Sequence, residues 1–233
     1  HLRVRFHARP GSTAQVLDAL HGRCAPALAD GRTWKIQLDT YEREVERYGG
    51  TEGMELVEEV FHADSEAVLA LLAASGRKGL WRLGLAGADA LLVDLGFDLA
   101  GRRDLAQRLR DGYCAEFRAD PSFVHRAGEA FRSERRSLED IFEEPARPEP
   151  LAVRSHRLAP MGGALCRLER SGRLGRSLPE IAMSLVHMHL NRLLRGDLRA
   201  QEAVLYDFLF RLYGSLWHRR SGHSAAARSN AGR

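Results

Sequence analysis

HLRVRFHAR, residues 1–9, alternates without a break. In an extended chain Leu2, Val4, Phe6 and Ala8 face one way, and Arg3, Arg5, His7 and Arg9 face the other. Period 2 with one apolar side is the pattern of a half-buried strand. Pro10-Gly11-Ser12 ends the run and Thr13 to Leu28 reads as an amphipathic helix. After Gly31, the stretch Trp34 to Tyr41 is strand-like again. Early strands followed by mostly helical patterns predict an α+β fold: a β-sheet with packed helices and a helical C-terminal half.

Further along, Met54 to Phe61 has helical spacing, and His62-Ala63-Asp64-Ser65 offers an N-cap for a second helix from Glu66 to Ala74. Helices are also expected over Ala90–Phe97, Arg103–Phe117 and Phe123–Phe142. EEPARPEP, residues 143–150, is expected to be an exposed loop, since its prolines and glutamates cannot form core. Ser177-Leu178-Pro179-Glu180 is the clearest helix start: Ser177 can cap, Glu180 occupies the capping-box position and Pro179 suits the first turn. That helix is expected to run to about Arg195, and a last one covers Ala200 to Trp217. Residues 1–217 are read as one domain, and 218–233, small, polar and basic, as a disordered tail.

The composition of the 233 residues, 44% hydrophobic and 28% charged, excludes collagen, a coiled-coil rod and a wholly disordered chain. No run approaches the roughly 18 apolar residues of a membrane span. No basic segment followed by an apolar one opens the chain, so no signal peptide is expected. Cys24, Cys114 and Cys166 are odd in number and far apart, which fits a reducing cytoplasm rather than a disulfide framework. The net charge of +4 is carried almost entirely by arginine, the only lysines being Lys35 and Lys78. With 7% aromatic residues and no RNP motif, direct tRNA binding is not expected.

Three places could carry chemistry. Arg3 and Arg5 lie two apart on one strand face, about 7 Å from each other. Together they could hold a carboxylate or phosphate, or simply form a solvated face. In DTYEREVERYGG, residues 39–50, Arg43 and Arg47 are four apart and would share a face on a helical turn, where a ladder of i,i+4 ion pairs is the plainer reading. Gly49-Gly50 permits close approach of another backbone. On the helix after Ser177, Ser184, His187 and Asn191 share a face, and His189 points about 200° away from His187. Two histidines so placed cannot serve one metal, and no HExxH is present, so no metal site is expected. A His near arginines suits proton transfer at neutral pH. No GxSxG, P-loop, dinucleotide fingerprint or kinase signature occurs.

HLRVRF at 1–6, DTYEREVERYGG followed by FHADS at 61–65, and SLVHMHLNRLL at 184–194 together resemble the C-terminal part of class I lantibiotic dehydratases and the stand-alone thiopeptide-type bacteriocin biosynthesis proteins. The resemblance spans about residues 1–217. It implies an elimination module that expels glutamate from glutamylated Ser or Thr of a precursor peptide, leaving dehydroalanine or dehydrobutyrine. It also implies a separate glutamyl-tRNA-dependent glutamylating protein as partner, since this chain is too short to hold that part. By motif, the family's elimination residues fall on Arg3, Arg5, Arg47 and His187. His187, Arg47 and Arg5 are then the expected catalytic residues. Arg3, Arg43, Tyr41, Ser184 and Asn191 are the expected substrate contacts. The chemistry is redox-neutral, so no cofactor is expected.

Two alternatives stand beside this reading. Pyridine synthases of thiopeptide pathways resemble the same scaffold but join two dehydroalanines by a formal [4+2] cycloaddition, with loss of water and leader peptide. They would need a proton donor such as Tyr. The 180–194 helix has none, and Tyr206 is the next along the chain. A module that only binds leader peptide or RNA is the non-enzymatic reading.

Overall fold

In a computed structural model, which describes residues 3–75, 79–116, 121–143 and 147–230, neither alternating segment joins a sheet: the described residues form eight helices and no strand. The expected α+β fold is thereby corrected to an all-helical one. Alternation fixes which side chains share a face. A strand also needs a neighbour to take its backbone N–H and C=O groups and to cover that face. Here Val4, Phe6, Ile36 and Leu38 stay exposed, and Trp34 is 88% exposed. His1 and Leu2 lie outside the described residues.

The chain divides into two units, His1–Arg43 and Glu44–Arg233. The first holds α1 (Thr13–Ala29), which buries no residue, between two irregular segments. The turn after α1 is fixed by Asp30, whose carboxylate accepts from the backbone N–H of Arg32 (3.1 Å) and from its guanidinium (2.8 Å).

The second unit holds α2 (Thr51–Ser75), α3 (Leu80–Asp94), α4 (Leu99–Glu116), α5 (Pro121–Glu143), α6 (Glu149–Arg170), α7 (Leu178–Leu193) and α8 (Leu198–Asn230). Helices α3 and α7 are its centre. Each packs on α6 to one side and α8 to the other, so they separate the α2–α6 pair from α4, α5 and α8. Their buried faces are built from Leu85, Ala88, Leu91 and Leu92 on α3, and from Ile181, Leu185, Val186, Leu190 and Leu193 on α7. Of the expected 143–150 loop, residues 144–146 lie outside the described residues, and Glu149 and Pro150 already open α6. No described helix is long and apolar enough to cross a membrane.

The break expected at His62-Ala63-Asp64-Ser65 does not occur, because α2 runs straight through it. Ser65 Oγ donates to the carbonyl of Phe61 one turn back (2.7 Å) instead of capping a new helix. Asp64 turns its carboxylate into the core. Close approach of backbones is visible at two glycines. Gly49, at φ 86°, accepts from the N–H of Gly175 (2.9 Å). Gly162 on α6 lies so near the end of α3 that an added Cβ would stand 2.1 Å from the carbonyl oxygen of Asp94. Gly162→Ala therefore forces α6 away from α3 and lowers unfolding free energy by about 1–3 kcal/mol in urea titration, as overpacking against rigid backbone does.

Candidate functional site

Helix α7 positions the site, and its start explains why it is firm. Glu180 accepts from the backbone N–H (3.2 Å) and hydroxyl (2.7 Å) of Ser177, while the N–H of Leu178 donates to Glu169 (2.7 Å). Orphan donors of the first turn are thus satisfied. The hydrogen bonds from Ser177 also hold the Glu180 carboxyl below its usual range.

The two histidines of α7 have opposite environments. His189 is fully buried, and its Nδ1 lies 2.8 Å from Asp64 Oδ1. Asp64 also accepts from Arg154 of α6 (2.7 Å) and Arg192 of α7 (3.0 Å), and Arg154 donates to the carbonyl of Gly87 on α3 (2.6 Å). One carboxylate thus joins α2, α6 and α7, and Arg154 extends the contact to α3. Burial alone would raise the Asp64 pKa; the charges of His189, Arg154 and Arg192 reverse this and hold it well below the usual carboxylate range.

His187 lies on the outer side of α7 with a side chain 27% exposed. Its Nδ1 is 2.5 Å from Oε1 of Glu202, a residue of the first turns of α8 with no exposed surface. Tyr206 donates its hydroxyl to the same oxygen (3.0 Å), and Arg199 donates to Oε2 (3.3 Å). Burial, reinforced by the Glu202 charge, pushes the Tyr206 phenol up. Ser184, one turn before His187, accepts from Nε of Arg47 (3.4 Å), and Arg47 also pairs with Glu44 (3.0 Å). Arg47, Ser184, Arg176, Glu180, Glu44 and Glu46 line a shallow cleft of about 470 Å³. Asn191 is exposed further along α7.

Of the expected site residues, Arg47, Ser184, His187 and Asn191 therefore lie in the second unit, with Arg47 and Ser184 in contact. Arg3, Arg5, Tyr41 and Arg43 lie in the first, all exposed. There the Arg5 guanidinium sits over the Tyr41 ring at 4.9 Å, a cation–π contact between two segments 36 residues apart in the chain. Residues 41–44 are not helical, so the turn expected to carry Arg43 is not formed.

Glu202 and Tyr206 were not expected at the site, although a signal existed. Glu202 falls in register with Leu205, Tyr206, Leu209 and Tyr213, the buried stripe of α8. A carboxylate in an apolar stripe needs a partner. Among the described residues no group of three or more His, Cys, Asp or Glu side chains could hold a metal ion.

A family model described as lantibiotic biosynthesis dehydratase, C-terminal, matches residues 1–213. No curated protein and no solved structure matches the chain.

Proposed function

This chain belongs to the lantibiotic biosynthesis dehydratase C-terminal family, and so has a role in lanthipeptide and thiopeptide biosynthesis; from that premise we propose that it catalyses glutamate elimination. The substrate is a precursor peptide whose Ser or Thr carries a glutamyl ester made by a separate glutamylating protein. His187 takes the α-proton of the esterified residue. The electron pair of that C–H bond becomes the Cα–Cβ double bond, the Cβ–O bond breaks, and glutamate leaves as a carboxylate. The leaving group, with a conjugate acid pKa of about 4, needs charge stabilisation more than a proton. The developing enolate needs donors. Arg47 supplies both kinds of contact beside Ser184, and Asn191 adds a further donor along α7. The family resemblance carries Arg5 into the catalytic set and Arg3 to the glutamyl carboxylates, and Arg43 and Tyr41 are proposed as further substrate contacts.

The observation that carries this reading is the outer face of α7. A partly exposed His187, anchored from behind by a buried carboxylate, stands one turn from the Ser184–Arg47 pair. Tyr206 supports elimination over cycloaddition. Its hydroxyl is buried and given to Glu202, so it is not presented to a bound substrate as a proton donor.

Mass spectrometry on two synthetic peptides tests the proposal. A peptide with a Ser glutamyl ester is expected to lose one glutamic acid and become dehydroalanine. An azole-rich peptide with two dehydroalanines is expected to remain unchanged. A macrocycle with released leader from the second peptide, and no loss from the first, overturns elimination in favour of cycloaddition. In the first assay Arg47→Ala is expected to slow turnover about 10²–10³-fold, the usual consequence of removing one oxyanion donor.

A further inference from the structure

We propose that Glu202 is the positioning residue of His187: it fixes the imidazole proton on Nδ1 and leaves the Nε2 lone pair as the base. The inference rests on the elimination reading for its use and on geometry for its existence. Glu202 has no exposed surface, yet it is ionisable and sits in an apolar stripe. A buried carboxylate is retained only with full hydrogen bonding. Its partners are His187, Tyr206 and Arg199, and two of these donate to it. Tyr206, with its phenol pushed up, stays protonated and donates, and Arg199 always donates. Arg199 is itself steered by Glu116 of α4. An ionised carboxylate in this position accepts the third bond as well, so the neutral imidazole carries its hydrogen on Nδ1. A histidine base is useful only if its lone-pair nitrogen faces the substrate, and a carboxylate behind the ring sets both the ring's orientation and the tautomer of its neutral form.

During elimination the α-proton moves to Nε2, and the imidazolium formed is balanced by the Glu202 charge at 2.5 Å. After the Cβ–O bond breaks, the Nε2 proton passes to solvent and the original tautomer returns. Glu202 meets neither peptide nor glutamate; its effect reaches the reaction only through His187.

Glu202→Gln tests the arrangement. The substitution conserves volume but supplies one oxygen and one NH₂ group. Arg199 can only donate, so it holds the amide oxygen on its own side, and the NH₂ turns to His187 Nδ1. That nitrogen must then accept, and the ring proton moves to Nε2. The protein's own tautomer is read by ¹⁵N NMR of the full chain at alkaline pH, where the ring is neutral, with turnover of the glutamylated peptide measured in parallel. Native protein is expected to show a protonated Nδ1. The variant is expected to show a protonated Nε2, with kcat lowered at least about a hundredfold and KM within a few-fold. A native ring protonated on Nε2 overturns the proposal, even if the variant fails to fold. So does a folded variant whose tautomer or turnover matches the native protein. If the tautomer switches as expected but native protein releases no glutamate, Glu202 positions His187 and it is the elimination reading that falls.

Discussion

Asp64→Ala is expected to lower the unfolding free energy by about 3–5 kcal/mol in urea or guanidinium titration, among the largest effects of any single change in this chain. Asp64 accepts from Arg154 and Arg192 and lies 2.8 Å from Nδ1 of His189. Removing it leaves the Arg154 guanidinium, whose side chain has no exposure, without a counter-charge. Arg154→Met is expected to cost less, about 1–3 kcal/mol, because Asp64 loses one donor but keeps Arg192 and His189, and the carbonyl of Gly87 loses the Arg154 bond. The order of the two variants, rather than either value, checks that the carboxylate is the hub; equal losses would refute it. The pH dependence follows from the same pairing. The folded pKa of Asp64 is below its unfolded value of 3.8, so its contribution is complete above that value and is lost as pH falls through the folded one. Native protein is expected to lose stability more steeply below about pH 4 than Asp64→Ala does.

The Asp64 cluster also shows what could be read from the sequence and what could not. FHADS and HMHLNR stand out as motifs, but their residues are shared between two tasks that spacing does not separate. Asp64, His189 and Arg192 meet in the core, while His187 faces outward. The helical wheel put His187 and His189 on different sides of α7, and Ser177 with Glu180 marked where the helix begins. Both are local properties, set within one or two turns. The corrections at Asp64 and in the two alternating segments were decided by partners distant in sequence. His62-Ala63-Asp64-Ser65 reads as a helix start because Arg154, the partner that holds Asp64 in the core, lies 90 residues away on a helix that the pattern does not reveal. The alternation of residues 1–9 and 34–41 fixed a face, but a sheet needs pairing that no single segment encodes. Glu202 escaped notice because the charge that makes it informative is visible only against the buried stripe of α8.

The two histidines of α7 are expected to fail in opposite ways when each is replaced by alanine. His187→Ala is expected to lower elimination of the glutamyl ester by about 10²–10⁴-fold, the range for loss of a positioned general base. Its unfolding free energy is expected to stay within about 1 kcal/mol of native, because Glu202 keeps Arg199 and Tyr206 and the lost ring was already partly in water. His189→Ala is expected to lose about 2–4 kcal/mol of stability, through the cavity left at a fully buried ring and the bond lost by Asp64. Its kcat, measured at a temperature where the variant is folded, is expected to stay within a few-fold of native, since the ring points away from Ser184 and Arg47. Gly87 sharpens the contrast: a Cβ there would stand 2.2 Å from His189 Nε2. The helix α3 backbone is therefore closed over that nitrogen and no peptide can reach it. A variant of His189 that remains fully stable and loses turnover would reverse the assignment and move the base to the buried side of the helix. The reverse pattern at His187, lost stability with intact turnover, would make its pairing with Glu202 structural.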